Sequence, residues 1–283
     1  MRYKSERMVI ADALSPTDDE GSSAATPQAV MQATAIGRIL IWRGGSLWIG
    51  LAGEPAGLHA HHAVQISLPF ARGRVRFQRD CGAWKSYSAA LVAADQPHAF
   101  EARGQLLVQI FVEPESPDGR QLQRRYGSEG IAALPPGTLK QEIAALASGY
   151  QRRADDAALV ALARAAIQTL AGDTGTAKGQ FDARIARAVE LIRRRLGGPI
   201  PLKQMAAAVH LSPDRFRHLF MQETRVSFRA YLLWLRLEVA LEAYVAGSTL
   251  TDAAHLAGFA DSAHFSRNFK RMFGIAAASI RTE

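Results

Sequence analysis

Two patterns of hydrophobic and polar positions divide the chain. Between residues 35 and 115, short apolar runs such as VQISLPF and LLVQIFVEP are separated by Gly, Pro or Asp. Closely spaced runs of this kind predict the strands of an antiparallel barrel or sandwich. From residue 181 onward, apolar residues recur at helical spacing, as in IARAVELIRRR. The predicted fold class is therefore α+β, with an amino-terminal antiparallel β-barrel, connector helices and an all-α carboxy-terminal domain.

Composition marks the boundaries between these regions. Residues 1–34 are small and polar, which predicts a flexible amino-terminal extension. The barrel is assigned to residues 35–115, and two Ala-rich stretches of helical period form a connector at 116–171. A Gly- and Thr-rich linker at 172–180 precedes the last domain at 181–283. The chain is thus predicted to consist of two domains joined by a helical connector.

The connector carries two apolar stripes with two open interpretations. The stripes can pair two chains into a homodimer, or they can pack back onto the barrel of the same chain. They consist of Leu139, Ile143, Leu146, Leu159, Leu162, Ala166 and Leu170.

The last domain contains one arrangement twice, a short helix followed by a tight turn and a second helix. In the first unit Ser212 is placed to cap the second helix, with Pro213 at its first helical position. In the second unit Asp261 opens the stretch SAHFSRNFKRMF. The two second helices are predicted at about 213–223 and 262–273. Between the units, SFRAYLLWLRLEVALEAYVAG is apolar around most of its circumference, which predicts a buried central helix.

Positive charge is concentrated in this last domain. The chain has a formal net charge of +8, and residues 181–283 hold 15 Lys and Arg against 9 Asp and Glu. In the last long helix, Phe265, Phe269 and Phe273 share one face, whereas Arg267 and Lys270 lie on the other. A core face and a basic face on one helix indicate that phosphate or another polyanion is the partner of this domain.

The segment from PIPLKQMAAAVHL to HFSRNFKRMFG resembles the DNA-binding domain of the AraC/XylS family of bacterial transcription regulators. Its most specific part is AGF followed by HFSRNFKRMFG. The resemblance implies a transcription factor that binds double-stranded promoter DNA, with two recognition helices in successive major grooves, and RNA polymerase as a further partner. It also implies an upstream domain that senses a small-molecule effector or mediates dimerisation. Arg225 departs from the family pattern, which has glycine at this helix end.

The same resemblance assigns roles to side chains on the two recognition helices. Base reading falls on Arg217, His218, Ser262, His264 and Arg267, and phosphate contacts fall on Arg215, Lys270 and Arg271. An arginine can bond a guanine through two acceptors, which discriminates against other bases by about 1 to 3 kcal/mol. Asp214 and Ala263 share the reading faces, and we expect Asp214 to cap its helix. For Lys270 and Arg271 a solvated face remains the alternative.

Histidines in the barrel region raise a second possibility. GLHAHHAVQISLPF and QPHAF resemble the two metal-binding motifs of cupin barrels, although Gln65 stands where a glutamate is expected. His59, His61 and His98 can supply three imidazole ligands to a divalent metal, and the alternative function is then a cupin-type metalloenzyme or a metal sensor. The sensing domains of the regulator family commonly keep such histidines without metal, so we predict a cupin-like effector pocket, no cofactor and no enzymatic activity. The predicted pocket residues are Trp42, His59, His61, His62, Gln65 and His98.

Two further features bear on the compartment. The single cysteine, Cys81, cannot form an internal disulfide, which suits a reducing environment. The first residues lack the apolar core of a signal peptide, and no later stretch has about 18 uncharged apolar residues. The sequence therefore predicts a cytoplasmic protein without a membrane partner.

Overall fold

The computed structural model describes residues 35–70, 72–80, 82–172 and 181–282. The flexible extension predicted at residues 1–34, and the predicted linker apart from Gly172, lie outside the described residues. Within the described residues the α+β fold class is confirmed, since strands occupy the first part of the chain and helices the last.

The elements are numbered here in chain order. The strands are β1 (Ala35–Trp42), β2 (Gly45–Ala52), β3 (Ala56–His59), β4 (Val64–Pro69), β5 (Val75–Gln78), β6 (Lys85–Tyr87), β7 (Ala90–Val92), β8 (His98–Glu101), β9 (Leu106–Val112), β10 (Ile131–Ala133) and β11 (Ile280–Thr282). The helices are α1 (Pro117–Tyr126), α2 (Lys140–Gln151), α3 (Asp156–Ala171), α4 (Ala183–Arg193), α5 (Leu202–Ala208), α6 (Pro213–Thr224), α7 (Phe228–Val245), α8 (Leu250–Leu256) and α9 (Ser262–Phe273), followed by a 3₁₀ turn at Ala277–Ser279.

The strands form two sheets. One is seven-stranded in the order β10-β7-β4-β9-β2-β1-β11, and the other is four-stranded in the order β3-β8-β5-β6. Neighbouring strands are antiparallel, as predicted, except for β1 and β11, which pair in parallel. Strand β11 comes from the end of the chain, so the carboxy-terminal segment completes the edge of the amino-terminal sheet.

Strands β2, β4 and β9 are covered on both faces, which explains their continuous apolar sequences. In β2, the side chains of Leu47 and Ile49 pack on the outer side with the connector, while Trp48 packs on the inner side. In β4, Gln65 and Ser67 alternate with the outward apolar residues and are almost fully buried. The inner face of the barrel is therefore partly polar at β4.

The connector helices pack onto the large sheet of the same chain. The stripe residues Leu146, Leu159, Ala166 and Leu170 have no exposed surface, and they share a hydrophobic cluster with Leu47 and other outward residues of the sheet. Of the two interpretations of these stripes, packing within one chain is the one that the structure shows. A homodimer would require another surface.

The last domain has the predicted repeated arrangement, with α5 and α6 as one unit and α8 and α9 as the other. Ser212 Oγ accepts a hydrogen bond from the backbone N–H of Arg215 at 3.3 Å, and Asp261 Oδ1 accepts one from His264 N–H at 2.6 Å. The cap predicted at Ser212 is confirmed, and Asp261 caps the helix that it was predicted to open. Arg225 ends α6 in a left-handed conformation with φ of 64°. Among the described residues, no helix is long and apolar enough to cross a membrane.

Candidate functional site

The first recognition helix, α6, presents a basic face to solvent. Arg215, Arg217 and His218 are exposed, whereas Phe216 is buried in the domain core. Arg217 Nη1 donates a hydrogen bond to Asp214 Oδ1 at 2.7 Å, and His218 Nδ1 donates to the Asp214 carbonyl at 2.8 Å. Asp214 lies in the first turn, where its charge favours the helix N-terminus, but it is not the cap, which is formed by Ser212. Asp214 instead orients the two side chains that were predicted to read bases.

The second recognition helix, α9, also has an exposed basic face and a buried apolar face. His264, Arg267 and Lys270 are exposed, and Ser262 is half-buried at the start of the helix. The opposite face, with Phe265 and Phe269, is fully buried.

Asn268 orients one of the basic side chains of α9. Its Nδ2 donates a hydrogen bond to the His264 carbonyl at 2.8 Å, while its Oδ1 accepts one from Arg271 Nη2 at 2.7 Å. The role of Asn268 was missed in the sequence. A polar residue on the apolar side of this helix was the available signal.

The carboxy-terminal end of α9 is inserted against the barrel. The Phe273 ring lies 5.3 Å from the Trp48 ring and stacks on it, and it lies 5.9 Å from the Phe111 ring. The Gly57 N–H in β3 donates a hydrogen bond to the Gly274 carbonyl at 3.1 Å. Phe273 therefore belongs to a core shared by both domains rather than to the helical domain alone.

A buried ionic network joins the domains at a second place. His62 Nδ1 donates to Asp95 Oδ2 at 3.3 Å and its Nε2 donates to Glu115 Oε2 at 3.2 Å. Glu115 Oε1 also accepts a hydrogen bond from the Tyr231 hydroxyl of α7 at 2.6 Å. Burial alone would lower the pKa of His62, but its hydrogen bonds to Asp95 and Glu115 outweigh burial and raise the pKa to about 10. His62 is thus a buried cation in this network, not a pocket residue as predicted.

Arg193 of α4 extends the same network. Its guanidinium pairs with Glu113, which follows β9, and lies 3.8 Å from a carboxylate oxygen of Glu238. Burial raises the pKa of the Glu238 carboxyl well above its ordinary value. These partners lie far apart in the sequence, which carries no signal for their pairing.

A cavity of about 80 Å³ lies where the helical domain meets the barrel. Its walls combine Trp48, Phe100 and Phe111 of the barrel with Phe273 and Ile275 of the helical domain. Its lining is mainly aromatic and aliphatic, and the polar residues that line it are Arg38, Glu54, His59, Gln65 and Gln109. A cavity needs only about 10 to 15 Å³ to hold one water molecule, so this one has room for a small ligand.

Trp42, which was predicted to line the pocket, lies elsewhere. Its ring packs with the outer cluster under the connector, and the Arg164 guanidinium lies 5.7 Å from the ring centre. Trp42 and Trp48 are on opposite faces of the sheet. The inward one is Trp48.

The remaining predicted pocket residues meet beside the cavity. The rings of His59 and His98 are 4.2 Å apart, and those of His61 and His98 are 5.3 Å apart. One ligand nitrogen from each of the three histidines lies within 4.8 Å of the others. Gln65 Oε1 is 2.9 Å from His61 Nε2 and 3.2 Å from His98 Nε2. The structure thus brings His59, His61, Gln65 and His98 together, as one group on the inner face of the barrel.

These three imidazoles are neutral at neutral pH. Burial, together with the charge of His61, lowers the pKa of His59 to about 4, although a hydrogen bond to Gly57 acts in the opposite direction. Burial also lowers the pKa of His61, and burial with the two neighbouring histidines lowers the pKa of His98 well below its ordinary value. A neutral imidazole carries one proton and one lone pair, so each ring is both a donor and an acceptor.

Comparison with known families identifies the helical domain. Residues 205–283 match the family model of a helix-turn-helix domain. The carboxy-terminal region is therefore a helix-turn-helix domain. This confirms the resemblance noted in the sequence. No protein of curated function matches the chain significantly.

Solved structures match most of the chain. The chain is similar to an apo variant of ToxT from Vibrio cholerae, with 11% identity over 85% of this chain and 97% of that one, and a TM-score of 0.55. It is similar to ToxT bound to (E)-4-(8-methylnaphthalen-1-yl)but-3-enoic acid, with 11% identity, coverage of 82% and 95%, and a TM-score of 0.52. An AraC-type regulator from Chromobacterium violaceum shares 24% identity over 34% of this chain and 86% of its own, with a TM-score of 0.33. The ToxT matches show that the arrangement of barrel and helix-turn-helix domain is a known fold.

The helix-turn-helix domain and the exposed basic faces of α6 and α9 together support one class of function. The chain is a DNA-binding transcription regulator.

Proposed function

We propose that the protein is an effector-responsive transcription regulator whose helix-turn-helix domain reads DNA with both recognition helices. The observation that carries this proposal is the position of α9. Its amino-terminal half presents His264 and Arg267 to solvent, while Phe273 at its other end closes the cavity of the barrel. A ligand in the cavity and a base pair in the groove would then contact the same helix.

On DNA, α6 and α9 enter successive major grooves. Arg217 and Arg267 contact guanines, with His218, Ser262 and His264 beside them on the reading faces. Arg215, Lys270 and Arg271 contact phosphates and position the domain. Arg217 must leave Asp214 to reach a base, and because this ion pair is exposed, breaking it costs only up to about 1 kcal/mol. Phosphate contacts release counterions, so binding weakens steeply as salt is raised.

The effector is a small, largely apolar molecule. The cavity is lined by aromatic and aliphatic side chains, and a ToxT structure of similar fold binds an aromatic carboxylic acid. The cavity itself has room for only a small ligand. A larger effector must therefore displace Phe273 or Ile275, which changes the position of α9 relative to the barrel.

The remaining partners follow from this function. A regulator bound to a promoter acts on RNA polymerase, and it works in the cytoplasm. The apolar stripes of the connector are buried within one chain, so a homodimer would form through a different surface.

The proposal is tested by selecting bound duplexes from a random DNA pool with the full chain. We expect a motif with two half-elements about one helical turn apart, because α6 and α9 occupy successive grooves. Arg217→Ala and Arg267→Ala should each remove the preference for one base in one half-element, with a loss of about 1 to 3 kcal/mol for that base. Lys270→Ala should instead weaken binding to all sequences alike.

Arg195→Ala is the matched control, since it removes one exposed arginine of the same domain that lies on neither recognition helix. It should leave every base preference unchanged. Binding without any preferred motif would contradict sequence-specific regulation. A base preference lost in the control but kept in the two α6 and α9 variants would contradict the assignment of the reading faces.

A further inference from the structure

The three barrel histidines are oriented in the same way. His59 Nδ1 is 2.6 Å from the Gly57 carbonyl, His61 Nδ1 is 3.0 Å from the Ala63 carbonyl, and His98 Nδ1 is 2.8 Å from the Gln96 carbonyl. A carbonyl oxygen only accepts, so in each ring Nδ1 carries the proton and Nε2 carries the lone pair. Metal-binding histidines are commonly held by this bond from the second ring nitrogen to a carbonyl.

The lone pairs of these rings face another acceptor. With the protons on Nδ1, His61 Nε2 and His98 Nε2 both direct lone pairs at Gln65 Oε1, at 2.9 Å and 3.2 Å. Gln65 Nε2 meanwhile donates to Ser67 Oγ at 3.0 Å. Buried acceptors that face one another without a proton between them are unsatisfied, and a cation at that point would satisfy them.

A rotated amide is the arrangement that needs no cation. The Gln65 NH₂ group would then donate to His61 and His98, and Ser67 would donate to the amide oxygen. In this arrangement Gln65 still donates nothing to His59 Nε2, because Gln65 is within hydrogen-bond distance of the other two rings only. A metal ion would engage all three rings at once.

We propose that His59, His61 and His98 bind one divalent transition-metal ion, with Gln65 Oε1 as a fourth ligand. Three imidazole nitrogens and one neutral oxygen suit ions of the Zn²⁺, Co²⁺ and Ni²⁺ type better than Mg²⁺ or Ca²⁺, which prefer carboxylate oxygens. His59 and Gln65 also line the cavity, which gives the ion a route to the site.

The site is connected to the second recognition helix. Gly57 accepts a hydrogen bond from His59 through its carbonyl and donates one to Gly274 through its N–H. The His61 ring stacks on the Phe273 ring, with centroids 6.1 Å apart. Drawing the three rings together around an ion would shift both contacts at the end of α9. Binding of the ion would thus change how the protein binds DNA. This regulatory role rests on the proposed function.

The binding test uses the full chain, freed of metal by a chelator. Zn²⁺ is titrated against a competing indicator, and Co²⁺ is followed by its visible absorption, which reports the ligand geometry. We expect one ion per chain in the wild type, and loss of that ion in His59→Ala, His61→Ala and His98→Ala. His255→Ala, which removes an exposed histidine of α8, is the matched control and should keep the ion.

Because an alanine variant can fail to fold, Gln65→Glu provides an independent test. A carboxylate in place of the amide oxygen should tighten Zn²⁺ binding. Less than one ion per chain in the wild type, or equal Zn²⁺ binding in all histidine variants, would overturn the site. Unchanged affinity in Gln65→Glu would remove Gln65 from the ligand set.

The regulatory part is tested on the selected DNA motif. Zn²⁺ should change the affinity of the wild type for this motif and should have no effect on His98→Ala. An affinity that is the same with Zn²⁺ and with chelator would show that the ion does not act on α9. Metal binding is measured without DNA, so failure of the site leaves sequence-specific binding intact, and failure of DNA binding leaves the metal titration valid.

Discussion

Replacement of Gly274 by alanine tests whether the end of α9 is held against the barrel. Gly274 has φ of +72°, and a Cβ built on it would lie 2.5 Å from the Gly57 carbonyl oxygen and 2.6 Å from His59 Nδ1. Real Cβ atoms do not approach other atoms so closely, so the helix end must move away from β3. The substitution therefore combines backbone strain with loss of the contact between the domains.

Gly247 supplies a control that separates these two effects. It follows α7 with φ of +101°, and a Cβ there would meet nothing within 4 Å. Gly247→Ala should cost only the strain of a left-handed residue, about 1 kcal/mol. Gly274→Ala adds loss of the hydrogen bond from Gly57, worth about 1 kcal/mol, and overpacking worth about 1 to 3 kcal/mol. We expect it to destabilise the chain by about 2 to 4 kcal/mol more than the control does.

The assay is urea unfolding followed by tryptophan fluorescence. Trp48 stacks on Phe273 and therefore reports on this contact. In Gly274→Ala we expect an early fluorescence change from release of the helical domain, before the barrel unfolds. Equal unfolding curves for Gly274→Ala and Gly247→Ala would refute the reasoning, since they would show that the end of α9 is not held on β3.

Three further predictions concern the helix end at Arg225 and the buried network. Arg225→Gly should stabilise the chain by about 1 kcal/mol in urea unfolding, because glycine adopts the left-handed conformation without strain; an unchanged midpoint would contradict this. Tyr231→Phe should cost about 1 to 3 kcal/mol by the same measurement, because buried Glu115 loses a donor, and a neutral effect would contradict the burial of this bond. Asp95 and Glu115 raise the pKa of His62 to about 10 in the folded chain against 6.5 unfolded, even though burial opposes the shift. The resulting stability is complete below pH 6.5 and is lost as the pH rises toward about 10. The unfolding free energy of the wild type minus that of His62→Ala should therefore fall over this range, and a difference that does not change between pH 6.5 and 10 would contradict the shift.

Much of the helical domain could be predicted because its signals are local. A capping residue such as Ser212 or Asp261 acts on an N–H only three positions away, and the apolar spacing of each helix is visible in one short stretch. Helix α1 was missed, although SPD at its start is also the beginning of α6, and Ser116 caps it in the same way. Helix α1 could therefore have been predicted from the same Ser-Pro-Asp start that predicted α6.

The barrel was harder to predict because its decisive features are not local. Strands β3 and β8 have four residues each, too few for a clear alternation. Trp42 and Trp48 are equally apolar, and only the pairing of β1 with β2 and of β2 with β9 decides which one faces inward. The bond between Tyr231 and Glu115 spans 116 positions, so no window of sequence contains both partners.

Among the described residues the helical domain contacts the barrel at several places, and three of these contacts affect how a signal can release it. Strand β11 pairs with β1, Tyr231 bonds Glu115, and Gly274 bonds Gly57. Of these three contacts, the metal-binding histidines adjoin only the one between Gly274 and Gly57. The cavity is lined by Phe273, next to that contact, and by Ile280 of β11. A ligand shifts an equilibrium only by its difference in affinity for the two states. If the helical domain turns about the Tyr231 hydrogen bond, this bond stays intact. A ligand in the cavity then needs to supply only the free energy that breaks the Gly274 and Phe273 contacts. In that case α9 moves while α6 stays in place, and the two half-elements of the DNA motif respond unequally to the effector.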